Sequence, residues 1–111
     1  PKLCRGQTHG AVVNGIGYAL MEEFIFDASG RLKTDSLMSY KIPSTRELPE
    51  IKVIHVESYE NTGPFGAKSV SEISMNGALS AISNAIFNAT GARLTEGPFT
   101  PERVLAALRH R

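Results

Sequence analysis

Apolar side chains recur every three or four positions in the first part of the chain, and this spacing predicts a helix over residues 8–23. Thr8 stands where an N-cap residue is expected. Glycines lie at positions 10, 15 and 17, and each costs up to about 1 kcal/mol inside a helix. We therefore expect that a neighbouring strand packs closely against these glycines, or that a ligand approaches the backbone there.

Strand patterns follow this helix along the chain. Residues 51–58 give the clearest one, because side chains of opposite character alternate along much of it and both faces suit partial burial. Residues 23–27 predict a short strand or the exit of the first helix, and residues 92–95 predict a final strand. Residues 28–30 predict a turn, and residues 40–44 an extended segment that contains a proline.

Two further helices are predicted in the second half of the chain. One covers residues 71–90 and ends at Gly91, which suits the left-handed conformation of a helix C-cap. The other begins with Thr100 as N-cap, Pro101 at the first helical position and Glu102 in the first turn. The alternation of elements predicts a small α+β fold with three helices and two to four short strands, whose open edges other parts of a larger protein would cover.

Length and composition restrict the protein class. Residues 1–111 suffice for one domain or less, and the formal net charge of +1 is spread along the chain, which argues against a nucleic-acid partner. No apolar run approaches the roughly 18 residues of a membrane span, and there is no signal peptide or initiator methionine, so we expect the chain to begin within a longer protein. The single Cys4 favours a reducing, cytoplasmic setting, and the scattered His9, His55 and His110 give no metal-ligand spacing.

Residues 63–72 contain the strongest candidate for chemistry, because a glycine-bearing loop leads into a helix with Glu72 in its first turn. Unpaired backbone N–H groups at a helix start favour anions, and the helix dipole favours an ionised carboxylate. Glu72 is therefore a candidate general base. The alternative is structural: Ser69 and Glu72 have the spacing of a capping box, in which each would satisfy an N–H group of the other.

Four stretches share their order and spacing with one enzyme family. They are Gly6-Gln7 with Gly10 and residues 15–23; Tyr40-Lys41-Ile42-Pro43; Gly66-Ala67-Lys68 with Val70 and Glu72; and Ala85-Ile86, Ala89 and Gly91 with Thr100-Pro101-Glu102. Together they cover most of the chain, and they resemble the C-terminal part of the molybdenum-cofactor subunit of the xanthine dehydrogenase and aldehyde oxidase family. The resemblance implies a portion of a molybdopterin-binding domain that is not active as an isolated chain.

The resemblance also implies roles for individual residues. Glu72 corresponds to the family's base, which accepts a proton from the water-derived oxygen that attacks an electron-poor carbon of a purine, another N-heterocycle or an aldehyde. Gln7 corresponds to a glutamine that helps hold the pterin, and Ser71 occupies a cofactor-facing position. The implied cofactors are molybdenum-molybdopterin in this subunit, and iron-sulfur clusters and FAD in partner domains or subunits. Ser69 and Ser71 replace two family glycines, and Ile73 replaces a proline, which leaves open a second hypothesis of a non-catalytic docking module.

Overall fold

The regular secondary structure of this protein is mainly helical. In a computed structural model, residues 1–70 and 72–109 are described. Their helices are α1 (Lys2–Leu20), α2 (Ile73–Asn76), α3 (Ala78–Thr90) and α4 (Pro101–Arg109), and Pro64–Gly66 forms a short 3-10 turn. None of the helices in this part of the chain is both long and apolar enough to cross a membrane.

The predicted α+β fold is wrong. Across residues 1–70 and 72–109 the only β-pairing is one isolated antiparallel bridge between Phe26 and Leu32, and no sheet forms. Residues 51–58 are not helical, but no second strand among the described residues forms a ladder with them, and the same holds for residues 92–95. An alternating pattern shows that a segment suits a sheet, whereas the strand itself requires a neighbour to complete its hydrogen bonds.

Helix α1 begins earlier than the apolar spacing predicts. It starts at Lys2, so Thr8 lies inside the helix, where its hydroxyl donates to the Cys4 carbonyl oxygen at 3.0 Å instead of capping the N-terminus. The expected close packing at a glycine is confirmed for Gly15, but the neighbours are helical. A Cβ atom at Gly15 would lie 2.6 Å from the Ala78 Cβ and 2.8 Å from the Met75 carbonyl oxygen.

The short segment after α1 contains the predicted turn. Gly30 has a φ of 81°, and the Asp27 carboxylate accepts hydrogen bonds from the backbone and hydroxyl of Ser29 and from the Arg31 backbone N–H. These bonds, first the one from the Ser29 hydroxyl and then the one from Arg31, hold the pKa of Asp27 below its usual value. The turn is therefore stabilised locally, and the bridged Phe26 and Leu32 flank it.

The end signals of the later helices are confirmed. The helix predicted for residues 71–90 is observed as α2 and α3 with a break at Gly77, and Gly91 closes α3 with a φ of 68°. Thr100 caps α4 by accepting a hydrogen bond from the Arg103 backbone N–H at 3.4 Å. The Arg103 guanidinium also donates to Glu23 at 2.6 Å, which ties α4 to the segment that follows α1.

The core of the described residues is small. Its buried apolar side chains are Ala19, Ala92, Leu94 and Phe99. The Phe99 backbone N–H donates to the Ala19 carbonyl oxygen at 2.7 Å, so the segment before α4 is fastened to the end of α1. Large apolar side chains elsewhere stay exposed, among them Ile54 at 87% and Val56 at 85%. Such exposure is typical of a surface that another part of a protein covers.

Candidate cofactor-facing site

A cavity of about 300 Å³ opens between α1 and the start of α2. Its lining residues are Gly6, Gln7, Gly10, Ala11 and Asn14 from α1, together with Glu72 and Met75. The fold thus brings Gln7 and Glu72, two of the three site residues predicted from the sequence, to one cavity. The third, Ser71, lies outside the described residues.

The two sides of this cavity are held together by contacts between α1 and α2. Gly15 allows the α1 backbone to approach Met75, because any larger residue would overlap with the Met75 carbonyl oxygen. The Tyr18 hydroxyl donates to that same oxygen at 3.1 Å. The Met75 backbone N–H in turn donates to the Glu72 carbonyl oxygen at 3.0 Å. The position of Glu72 beside α1 therefore follows from the contacts that the Met75 backbone makes with Gly15, Tyr18 and Glu72.

Glu72 occupies a different place in its helix than the capping box requires. It is itself the N-cap residue of α2, and no side chain caps this helix. The helix that begins at Ile73 has only four residues. The structural alternative with Ser69 as N-cap is therefore wrong. The helix dipole contributes less than the sequence suggests, because few peptide dipoles add together in so short a helix.

Bare backbone forms part of the α1 side of the cavity. Gly6 and Gly10 are exposed on one face of α1, and a Cβ at either position would have no atom within 4 Å. A glycine inside a helix costs about 1 kcal/mol relative to alanine. At Gly15 close packing explains why a glycine is needed despite this cost. At Gly6 and Gly10 no contact within the described residues explains it. The arrangement leaves room for a bound group to approach the helix backbone beside the Gln7 side chain.

Backbone hydrogen bonds within the loop stabilise the segment that leads to Glu72. Gly66 is buried with a φ of 75°, and the ring of Tyr59 occupies the space that a Cβ would need. The Gly66 carbonyl oxygen accepts from the Glu60 N–H, and the Gly66 N–H donates to Gly63, both at 3.1 Å. Phe65 has a φ of 55° and a fully exposed ring. Only a glycine fits at position 66, which explains this residue of the signature in physical terms.

Sequence reasoning missed one polar residue of the cavity, Asn14. It lies seven positions after Gln7, which places both carboxamides on the same face of α1. The spacing of seven residues between Gln7 and Asn14 is the sign in the sequence from which Asn14 could have been identified. His55, in contrast, is exposed on the extended segment and does not line the cavity. Residues 1–70 and 72–109 contain no cluster of three or more His, Cys, Asp or Glu side chains placed to hold a metal ion.

Comparison with known proteins defines the class. The family described as "Molybdopterin cofactor-binding domain" matches residues 1–49. The chain is 46% identical over 109 residues to the probable hypoxanthine oxidase XdhD of Escherichia coli, and 40% identical over 105 residues to the putative xanthine dehydrogenase molybdenum-binding subunit XdhA of the same species. These matches cover 97% and 94% of this chain.

A solved structure agrees with these relatives. Quinoline 2-oxidoreductase from Pseudomonas putida 86 superposes with a TM-score of 0.91 and 33% identity over 100% of this chain. The predicted resemblance is therefore confirmed, and the chain belongs with the molybdenum-binding subunits of the xanthine dehydrogenase and aldehyde oxidoreductase type. It spans only 11% of the hypoxanthine oxidase, 14% of the molybdenum-binding subunit and 14% of the quinoline enzyme.

Proposed function

We propose that residues 1–111 form the C-terminal portion of the molybdopterin-binding domain of a molybdenum hydroxylase and contribute its general base, Glu72. The substrates would be purines, other N-heterocycles or aldehydes, with water as the oxygen source. The observation that carries the proposal is the shared cavity of Gln7 and Glu72, which come from distant parts of the chain. The names of the relatives, which include a hypoxanthine oxidase and an aldehyde oxidoreductase, support this range of substrates.

The cavity fits the organic part of such a cofactor. A carboxamide has both donor and acceptor atoms, so Gln7 suits the edge of a pterin, which carries groups of both kinds. The exposed glycine backbone at Gly6 and Gly10 leaves room for that edge to approach α1. Ser71, to which the family resemblance gives a cofactor-facing position, is proposed as a further contact. When bound, the cofactor supplies the metal centre at which the two-electron oxidation of the substrate takes place.

Glu72 acts in this proposal as the proton acceptor. Glu72 lines the cavity at the N-terminal end of α2. From there its carboxylate would take up a proton from the attacking oxygen atom. Iron-sulfur and flavin domains or subunits would accept the electrons, and several relatives are named as subunits. A cytoplasmic setting is part of the same proposal, in keeping with the free thiol of Cys4.

The test is the Glu72→Gln substitution in the full-length, cofactor-loaded subunit assembled with its partners. We expect kcat to fall by about 10²-fold or more at an unchanged molybdenum content, because the amide cannot accept the proton. Glu50→Gln is the matched control, since Glu50 is exposed and away from the cavity. A Glu72→Gln enzyme that keeps wild-type turnover with the cofactor bound would refute the base assignment.

A non-catalytic docking module is the second candidate function. It is motivated by Ser69 and Ser71, whose side chains replace glycines that the family places close to the cofactor. The two candidates predict different cofactor contents for the full-length protein. Stoichiometric molybdopterin after purification supports the enzyme, and a correctly folded, assembled subunit without molybdopterin under conditions that load a related enzyme supports the docking module.

A further inference from the structure

The hydroxyl group of Tyr18 connects α1 to α2. Tyr18 lies about one helical turn after Gly15 on α1, and its Oη donates to the Met75 carbonyl oxygen at 3.1 Å. Within the described residues this is the only hydrogen bond between α1 and α2. Tyr18 does not line the cavity, so it is not placed to touch a group that is bound there. The contact through which Tyr18 reaches the site is therefore the Met75 backbone.

Helix α2 has few other contacts that could fix its position. It contains only four residues, and helices shorter than about 12 residues are marginal on their own hydrogen bonds. None of its side chains is buried, and the side chain of Ile73 is 76% exposed. Gly15 permits the close approach of the α1 backbone but supplies no side chain to the contact. The Tyr18 hydroxyl thus adds a directional bond where packing is weak.

The backbone of α2 links this bond to Glu72. The Met75 N–H donates to the Glu72 carbonyl oxygen at 3.0 Å, and the Asn76 N–H donates to the same oxygen at 3.3 Å. Met75 is therefore bonded to Tyr18 through its carbonyl group and to Glu72 through its amide group. A shift of Met75 away from α1 moves the backbone of Glu72 as well. The place of Glu72 at the cavity thus depends on the Tyr18 hydroxyl.

We propose that Tyr18 is a positioning residue for Glu72, whose bond to Met75 keeps this base at the distance that proton transfer requires. A general base must lie within about 2.6–3.2 Å of the atom that carries the proton. A misplacement of about 1 Å can lower a rate by about 10²-fold. The proposal rests on the proposed function of Glu72 as a base and adds a residue outside the cavity that keeps the base within reach.

The test is Tyr18→Phe in the full-length, cofactor-loaded subunit assembled with its partners. We expect kcat and kcat/KM to fall together by about tenfold at an unchanged KM and molybdopterin content, because the lost contact matters only when the proton moves. Tyr40→Phe is the matched control, since it also removes a hydroxyl with one hydrogen bond, to Glu22, and Tyr40 does not line the cavity. We expect its kcat to equal that of the wild type.

A double substitution distinguishes a positioning role from a structural one. Tyr18→Phe in the Glu72→Gln background should cause no further fall in kcat, because the group that Tyr18 positions is already gone. A general weakening of the fold would instead lower kcat by a similar factor in both backgrounds. Tyr18→para-aminophenylalanine keeps an N–H donor at the end of the ring, and we expect it to recover most of the lost kcat.

A further readout does not depend on turnover. In the cofactor-free, full-length subunit, hydrogen–deuterium exchange of the peptides that cover α2 reports the loss of the bond to Met75. We expect the Met75 and Asn76 amides to exchange about fivefold faster in Tyr18→Phe, which corresponds to the loss of one ordinary hydrogen bond. We expect their exchange in Tyr40→Phe to match the wild type.

The outcomes separate this proposal from the base assignment. The role of Tyr18 is overturned by a wild-type kcat in Tyr18→Phe, by an equal fall in both backgrounds, by unchanged exchange in α2, or by a loss of molybdopterin from Tyr18→Phe. The base assignment survives each of these results if Glu72→Gln alone abolishes turnover. If Glu72→Gln keeps wild-type turnover, the base assignment fails, and the positioning role fails with it even where exchange in α2 responds to Tyr18→Phe.

Discussion

Gly15 determines how closely α1 and α2 approach each other, and the Gly15→Ala substitution measures what this contact contributes. The added Cβ would lie 2.6 Å from the Ala78 Cβ and 2.8 Å from the Met75 carbonyl oxygen. Favourable carbon–carbon contacts lie at about 3.5–4.0 Å. The helices must therefore separate by roughly 1 Å at this point. Met75 belongs to α2 and accepts the hydrogen bond of Tyr18, so the separation acts directly on the side of the cavity that carries Glu72.

The expected change in stability is the difference of two effects. Overpacking of a tight contact costs about 1–3 kcal/mol. Alanine inside a helix is more favourable than glycine by about 1 kcal/mol. The net effect of Gly15→Ala is a destabilisation of about 1 kcal/mol, which corresponds to a roughly fivefold change in the equilibrium for local opening. Hydrogen–deuterium exchange of the peptides that cover α1 and α2, in the cofactor-free full-length subunit, reports this change as roughly fivefold faster exchange.

Gly10→Ala is the matched substitution in the same helix. No atom lies within 4 Å of the added Cβ, so only the gain in helix propensity remains, and exchange in α1 should slow by roughly fivefold. The same methyl group would occupy the space left for the cofactor, so we expect molybdopterin content to fall although the helix is more stable. Equal effects of Gly15→Ala and Gly10→Ala on exchange would refute the reasoning from packing.

Two further predictions concern residues that do not line the cavity. A hydrogen bond from the Tyr40 hydroxyl to Glu22 at 2.7 Å raises the pKa of Tyr40 above its usual value of 10.0. Its stabilising effect is therefore complete below about pH 10 and is lost as the pH rises through the raised pKa, so Tyr40→Phe should remove a late-titrating tyrosine from the absorbance titration. Gly66→Ala combines a left-handed backbone with a clash against the Tyr59 ring and should destabilise the loop by at least about 1 kcal/mol, seen as faster amide exchange near residue 66. Unchanged exchange there would contradict the role assigned to this glycine.

Those helix ends that are set by a capping residue could be predicted from the sequence. Gly91 and Thr100 act through their own backbone and side-chain atoms, and both do so as predicted. The start of α1 could not be predicted in this way, because residues 2–7 show little apolar spacing, and the Thr8 hydroxyl bonds backward inside the helix. The lack of a sheet across residues 1–70 and 72–109 could not be predicted from single segments, since a ladder depends on a partner distant in sequence.

The candidate site shows the same division between local and distant information. Motif resemblance selected Gln7 and Glu72, and the fold places them at one cavity. It did not select Asn14, because this position is not among the matching residues of the first stretch, and only the helix that packs beside it shows that Asn14 lines the cavity. The close contact of Gly15 with Met75 brings α2 beside α1. In the sequence, the only sign of this contact is a glycine inside a predicted helix.

The open segment 51–58 has a consequence for handling the molecule in solution. Its backbone has no ladder within the described residues, and its exposed Ile54 and Val56 offer an apolar surface to any other extended chain. Such a segment is a template for edge-to-edge aggregation. Lys52 and Glu57 place charges at either end of it, which oppose stacking of identical copies. Preparations of this chain alone should therefore lose solubility first at high salt, where these charges are screened.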